Sequence, residues 1–150
     1  MKVDRLEPCF LTQFPEQLQE GVLYISEEFS LTAHKCCCGC REDVVLKLGP
    51  AKWQLTKESD GTVSLNPSVG NWKYACRSHY WIENNRVLDA GPMTTGAIKR
   101  VQHRDRMERQ QYLEQHAATS VPKRPTGRRW IHNVIQRGWR YLKGPWRGTD

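Results

Sequence analysis

A chain of 150 residues with 38% hydrophobic residues has room for one small domain and an appendage. No run comes near the roughly eighteen apolar residues of a membrane-spanning helix, and Met1-Lys2-Val3-Asp4-Arg5 lacks the apolar core of a signal peptide. The chain is therefore expected in the cytoplasm, a reducing compartment where clustered cysteines favour metal over disulfides. The net charge of +7 is unevenly spread. Residues 1–96 carry 10 Lys+Arg against 12 Asp+Glu, a balance of −2, and residues 97–150 carry 13 against 4, a balance of +9. This predicts a nearly neutral domain over 1–96 and a basic extension over 97–150.

In chain order, residues 1–21 read as an extended lead-in with one turn of helix, punctuated by Pro8, Pro15 and Gly21. Val22-Leu23-Tyr24-Ile25 predicts a buried strand, Glu27-Glu28 an exposed bend, and Phe29 to Ala33 an extended approach to the cysteines. Val44 to Leu48 is β-branched and ends at Gly49-Pro50. Trp53 to Thr56 and Thr62 to Leu65 flank Asp60-Gly61, a strong hairpin signal. Pro67 to Asn71 reads as a turn, Tyr74 to Ile82 as a strand, and Asn84-Asn85 as the turn into Arg86-Val87-Leu88. Short strands at this spacing predict a mainly β fold, a small antiparallel domain.

Residues 97–116 carry helix formers whose apolar positions trace no continuous stripe, predicting a solvated or partner-supported helix. Ala117 to Gly127 reads as a linker. Residues 128–143 place Ile131, Ile135, Trp139 and Leu142 along one side of a basic amphipathic helix. Such a helix docks on a core or partner, binds nucleic acid, or lies on an anionic surface.

The densest chemistry lies in His34-Lys35-Cys36-Cys37-Cys38-Gly39-Cys40. Thiols so close cannot all pair as local disulfides, whereas zinc takes four sulfur or nitrogen ligands at roughly 2.1–2.3 Å. One ligand must come from elsewhere, and Cys76 is favoured over Cys9. Ligation by Cys36, Cys38, Cys40 and Cys76, with Cys37 pointing away, fits an extended entry into a glycine turn. A Cys37–Cys40 knuckle fits nearly as well, and His34 is a further alternative ligand. One structural zinc would stabilise a domain too small to hold together by its core alone.

Along Ala75 to Ile82, alternation puts Cys76, Ser78 and Tyr80 on one face and Arg77, His79 and Trp81 on the other. Ser78 and His79 are thus poorly placed as a pair, and Ser78 is better read as a hydroxyl near the metal sulfurs. His79 is free to meet Ser68, Ser64 or His34 from neighbouring segments. Ser68 lies beside Gly70 and Asn71, a setting that exposes a nucleophile and supplies amide donors for an oxyanion. Neither a phosphate-cradling glycine loop nor His-Glu-x-x-His is present, and the zinc-deaminase pattern fails because Lys35 and Cys36 follow His34.

Three blocks in order carry a resemblance: His34 to Cys40, Val63 to Trp72, and Cys76-Arg77-Ser78-His79-Tyr80-Trp81-Ile82. Over roughly residues 18–90 the chain resembles the BubE family of bacterial ubiquitination-like operons. The resemblance implies a component of a ubiquitin-like conjugation pathway, a serine peptidase that matures or deconjugates the ubiquitin-like protein. It implies Ser68, His79 and His34 as catalytic candidates and Cys36, Cys38, Cys40 and Cys76 as metal ligands; in a hydrolase built on them, Asn71 or nearby amides would hold the oxyanion. The implied partners are the ubiquitin-like protein and its activating and conjugating enzymes. The alternative is a non-catalytic zinc adaptor for the same partners.

Overall fold

The alternating pattern Val44-Val45-Leu46 gives a strand whose every second side chain is buried, and it belongs to one of two four-stranded sheets. In the computed structural model, the structure describes residues 1–117. The first sheet has the order β1 (Glu7–Phe10), β2 (Val22–Ser26), β3 (Leu31–Lys35) and β4 (Asp43–Lys47). The second has β5 (Gln54–Lys57), β6 (Val63–Gly70), β7 (His79–Glu83) and β8 (Arg86–Asp89). Leu23, Ile25, Val44 and Leu46 of the first sheet and Val63, Leu65, Val69, Tyr80, Ile82 and Val87 of the second share one core. The fold is mainly β, as the spacing predicts.

Three details differ from the sequence reading. The lead-in contributes a strand, because Glu7–Phe10 pairs with β2 in parallel while Leu6 plugs the core with no exposure. Strand β6 continues through Pro67 and Ser68 to Gly70, where a turn is expected. Pro67 is tolerated there because β5 begins only opposite Asn66 and the β6–β7 ladder is interrupted between Leu65 and Val69, so no ladder partner misses its N–H. Strand β7 begins only at His79, since Asn71 to Ser78 forms tight turns held by Tyr74 N–H to Asn71 O and Arg77 N–H to Tyr74 O, both 3.1 Å.

The helix α1 (Thr95–Ala117) is capped by Thr94, whose Oγ1 accepts from the Ala97 amide at 3.2 Å. Ile98 is its buried residue, in keeping with the absence of an apolar stripe. Among the described residues, no helix is long and apolar enough to cross a membrane. Met1–Glu114 forms one compact unit. The basic amphipathic helix expected at 128–143 lies outside the described residues, as does most of the linker.

The β7–β8 turn holds more than its own hairpin. Asn85 sits at φ 67°, its Oδ1 accepts from the Val63 amide at 2.8 Å, and its carbonyl accepts from the Leu6 amide at 2.8 Å. Asn tolerates the left-handed region, and Ala there would strain the backbone and orphan a buried donor. Asn85→Ala is expected to lower unfolding free energy by roughly 2–4 kcal/mol, measured by urea denaturation. A loss below about 1 kcal/mol would show that the Val63 amide finds another partner.

Candidate functional site

The cysteine segment leaves β3 at Lys35 and turns at once. The Cys36 amide donates to Glu42 O at 2.8 Å and the Gly39 amide to Cys36 O at 3.0 Å. Gly39 takes φ 90°, and a Cβ there would press on the Lys2 side chain, so the turn demands glycine. This turn and the one at Cys76 bring Cys36, Cys38, Cys40 and Cys76 together, their Sγ atoms all within 4.8 Å of one another. Cys36 Sγ lies 3.4 Å from Cys38 Sγ and 4.0 Å from Cys76 Sγ, and Cys40 Sγ lies 3.6 Å from Cys76 Sγ. Tetrahedral ligands at ~2.3 Å from one ion would sit ~3.8 Å apart, so the set fits a metal ion. Cys37 turns the other way, into the core, where burial pushes its thiol up to about 12. Cys9 is exposed and apart from the cluster.

Burial opposes ionisation of Cys76, but hydrogen bonds from the Ser78 amide and hydroxyl and from Cys40 and Cys38 outweigh it and hold the thiol down to about 7. Burial raises Cys38, and it pushes Cys40 up to about 12. Cys76 is thus ionised more readily than Cys38 or Cys40. A bound cation would let every ligating thiol ionise.

Beneath the thiols runs a buried polar chain. Ser78 Oγ lies 3.1 Å from Cys36 Sγ, and Asn71 Nδ2 donates to Ser78 Oγ at 2.9 Å and to Cys36 Sγ at 3.3 Å. The same amide approaches Tyr80 Oη at 3.4 Å, and Tyr80 Oη meets His34 Nε2 at 2.8 Å. His34 is wholly buried, which lowers its pKa to about 4, and its Nδ1 has no partner among the described residues. The structure therefore joins Asn71 and His34 to the cysteine cluster and Tyr80. It does not bring the His34 ring to a serine.

On the opposite face of β7 the arrangement is different. Leu65 faces Ile82 while Val69 faces Tyr80, so four positions of β6 span two of β7 and the strand bulges. Beyond the bulge Gly70 pairs with His79, and Ser68 becomes the diagonal neighbour. Ser68 Oγ lies 2.9 Å from His79 Nε2, and His79 Nδ1 lies 3.2 Å from Gly91 O. A carbonyl only accepts, so Nδ1 carries the proton and donates to Gly91 O. Nε2 is then left to accept the Ser68 hydroxyl proton. Asp89 Oδ1 accepts the Gly91 amide at 2.8 Å and steadies the turn that aims this carbonyl. Both side chains are half-buried. One cleft of about 390 Å³ is lined by His79, Gly91, Arg77, Cys38 and Cys76. Another, of about 380 Å³, is lined by Pro67, Asn66, Trp53, Arg104 and Glu108.

Sequence reasoning missed Gly91, and it put Tyr80 on the cysteine face without giving it a partner. Asp89-Ala90-Gly91-Pro92 signals a turn, but nothing in the chain shows which imidazole its carbonyl will meet.

The fold and site define a class: a two-sheet β protein with a serine–histidine pair on one face of a strand and a four-cysteine cluster beneath the other. The family model of the bacterial ubiquitination-like system serine protease, BubE, matches residues 10–89, and the chain belongs to this family. It is thereby tied to a bacterial ubiquitination-like system. Neither a curated protein nor a solved structure matches the chain.

Proposed function

We propose that this protein is a serine peptidase that cleaves the peptide or isopeptide bond after the tail of a ubiquitin-like protein. The observation that carries the reading is the 2.9 Å contact of Ser68 Oγ with an Nε2 whose tautomer Gly91 O fixes. Ser68 Oγ attacks the scissile carbonyl carbon as its proton passes to His79 Nε2. The C–N bond breaks, His79 returns that proton to the leaving amine, and water then hydrolyses the acyl-serine with His79 again as base. The carbonyl of Gly91 takes the orienting position that a carboxylate holds in the familiar triad.

In this reading Cys36, Cys38, Cys40 and Cys76 hold one zinc ion. Its contribution is structural, because four protein thiolates would fill its coordination shell. Asn71 and Ser78 hydrogen-bond the sulfur face, and His34 with Tyr80 extends that support into the core. The domain boundary is proposed at 96/97, with the basic residues 97–150 as a docking arm for other components of the pathway.

The experiment uses the purified full chain and a ubiquitin-like protein fused through its C-terminus to a reporter. Cleavage at the fusion junction is expected, with a fluorophosphonate attaching to Ser68 by peptide mapping. An intact fusion and an unlabelled Ser68 would replace the peptidase with the non-catalytic adaptor.

A further inference from the structure

Gly70 stands directly opposite His79 in the β6–β7 ladder. Its φ lies outside the left-handed region, so the backbone alone would accept any residue there. What forbids a side chain is Trp72. A Cβ at Gly70 would fall among the indole atoms, with Nε1 at 2.5 Å. The indole folds back over the glycine and packs against the His79 imidazole, with ring centroids 5.1 Å apart and planes tilted by 52°. The space that a cross-strand side chain would occupy beside the imidazole is filled by a rigid ring.

We propose that Trp72, admitted by Gly70, is the positioning residue of the His79 base. The inference rests on the peptidase reading given above. An imidazole has two soft torsions, and hydrogen bonds at Nε2 and Nδ1 fix its two ends but leave it free to rock about the line between them. The indole removes that freedom from one side. Ser68 is the imidazole's diagonal neighbour across the ladder, two residues before Gly70 on β6, so a small swing of the ring lengthens the contact that must carry the proton. A misplacement of about 1 Å in such a contact can cost on the order of a hundredfold in rate.

The test is a double-mutant cycle on the full chain with the reporter fusion, after wild type has been shown to label at Ser68. Trp72→Ala is expected to lower kcat about tenfold to hundredfold with KM little changed, and to slow fluorophosphonate labelling in parallel. Trp72→Phe, which keeps a ring, recovers most of the loss. Gly70→Ala in the wild-type background behaves like Trp72→Ala, because its Cβ displaces the indole. In the Trp72→Ala background it adds nothing, since the ring it would displace is gone. Zinc content and melting temperature report folding in every variant. Additive losses, a change confined to KM, or an unaffected labelling rate would overturn the proposal. Absent wild-type labelling would instead overturn the peptidase reading itself.

Discussion

Ser68→Ala is expected to remove cleavage by ~10³-fold or more and to leave metal content and melting temperature at wild-type values. Ser68 is half-buried on the outer face of β6, and His79 is its hydrogen-bond partner. Removing the hydroxyl therefore opens no core cavity. His79→Ala should match it in activity, and the double variant should be no worse, because nucleophile and base act as a unit. Two other serines serve as controls. Ser64 Oγ accepts from the Asn84 amide at 2.9 Å in the β7–β8 turn, so Ser64→Ala should cleave normally. Ser78 Oγ lies 3.1 Å from Cys36 Sγ and accepts from Asn71, so Ser78→Ala should lower metal retention before it touches chemistry. A fully active Ser68→Ala beside a dead Ser64→Ala or Ser78→Ala would mean that the nucleophile is another serine.

Much of this arrangement is legible in the chain because strand alternation is a strict rule. Ser78 and Tyr80 do face the cysteines and His79 does face away, although β7 starts later than its aromatic run suggests. The Asn84-Asn85 and Asp60-Gly61 turns are legible too, because each demands residues that accept positive φ or cap a bend. The parallel strand β1 is not. Glu7-Pro8-Cys9-Phe10 is mostly exposed and carries no periodic signal, and only its pairing with β2 defines it. His34 reads as a chemical residue in sequence, yet it lies between Thr32 and Cys36 on the inward face of β3, opposite Val44. Burial of a polar side chain depends on the partner it meets, here Tyr80 some 46 residues away, and no local pattern encodes that. Asn71 is similar. It looks like turn chemistry, and its amide instead reaches three buried acceptors. The Ser68–His79 contact needs the β6 bulge, whose register shift appears only when β7 is aligned beside it.

The largest stability effect is expected at the cysteine cluster. Elemental analysis of purified protein should find about one zinc per chain. Cys36→Ser and Cys76→Ser should each leave the protein poorly soluble with a sharply lower melting temperature. Cys36 is fully buried just after β3, whereas Cys76 comes from the loop before β7. Bound to one ion, they would tie the first sheet to that loop. Structural zinc contributes an apparent ~10–16 kcal/mol of binding free energy in finger-like peptides, more than a small core supplies. Losing one ligand also leaves three coupled thiols without the cation that would stabilise their charge. Cys37→Ser is the discriminating control. It places a hydroxyl in the core and costs about 1–3 kcal/mol as a buried, poorly paired polar group, but zinc should be retained at wild-type stoichiometry. Chelation with a strong zinc ligand should reproduce the Cys76→Ser phenotype in the wild type. It should also stop cleavage, because Cys76 lies three residues before His79 in the loop that leads into β7. A well-folded protein whose cysteines all react freely with a thiol reagent at zero zinc would refute the metal centre.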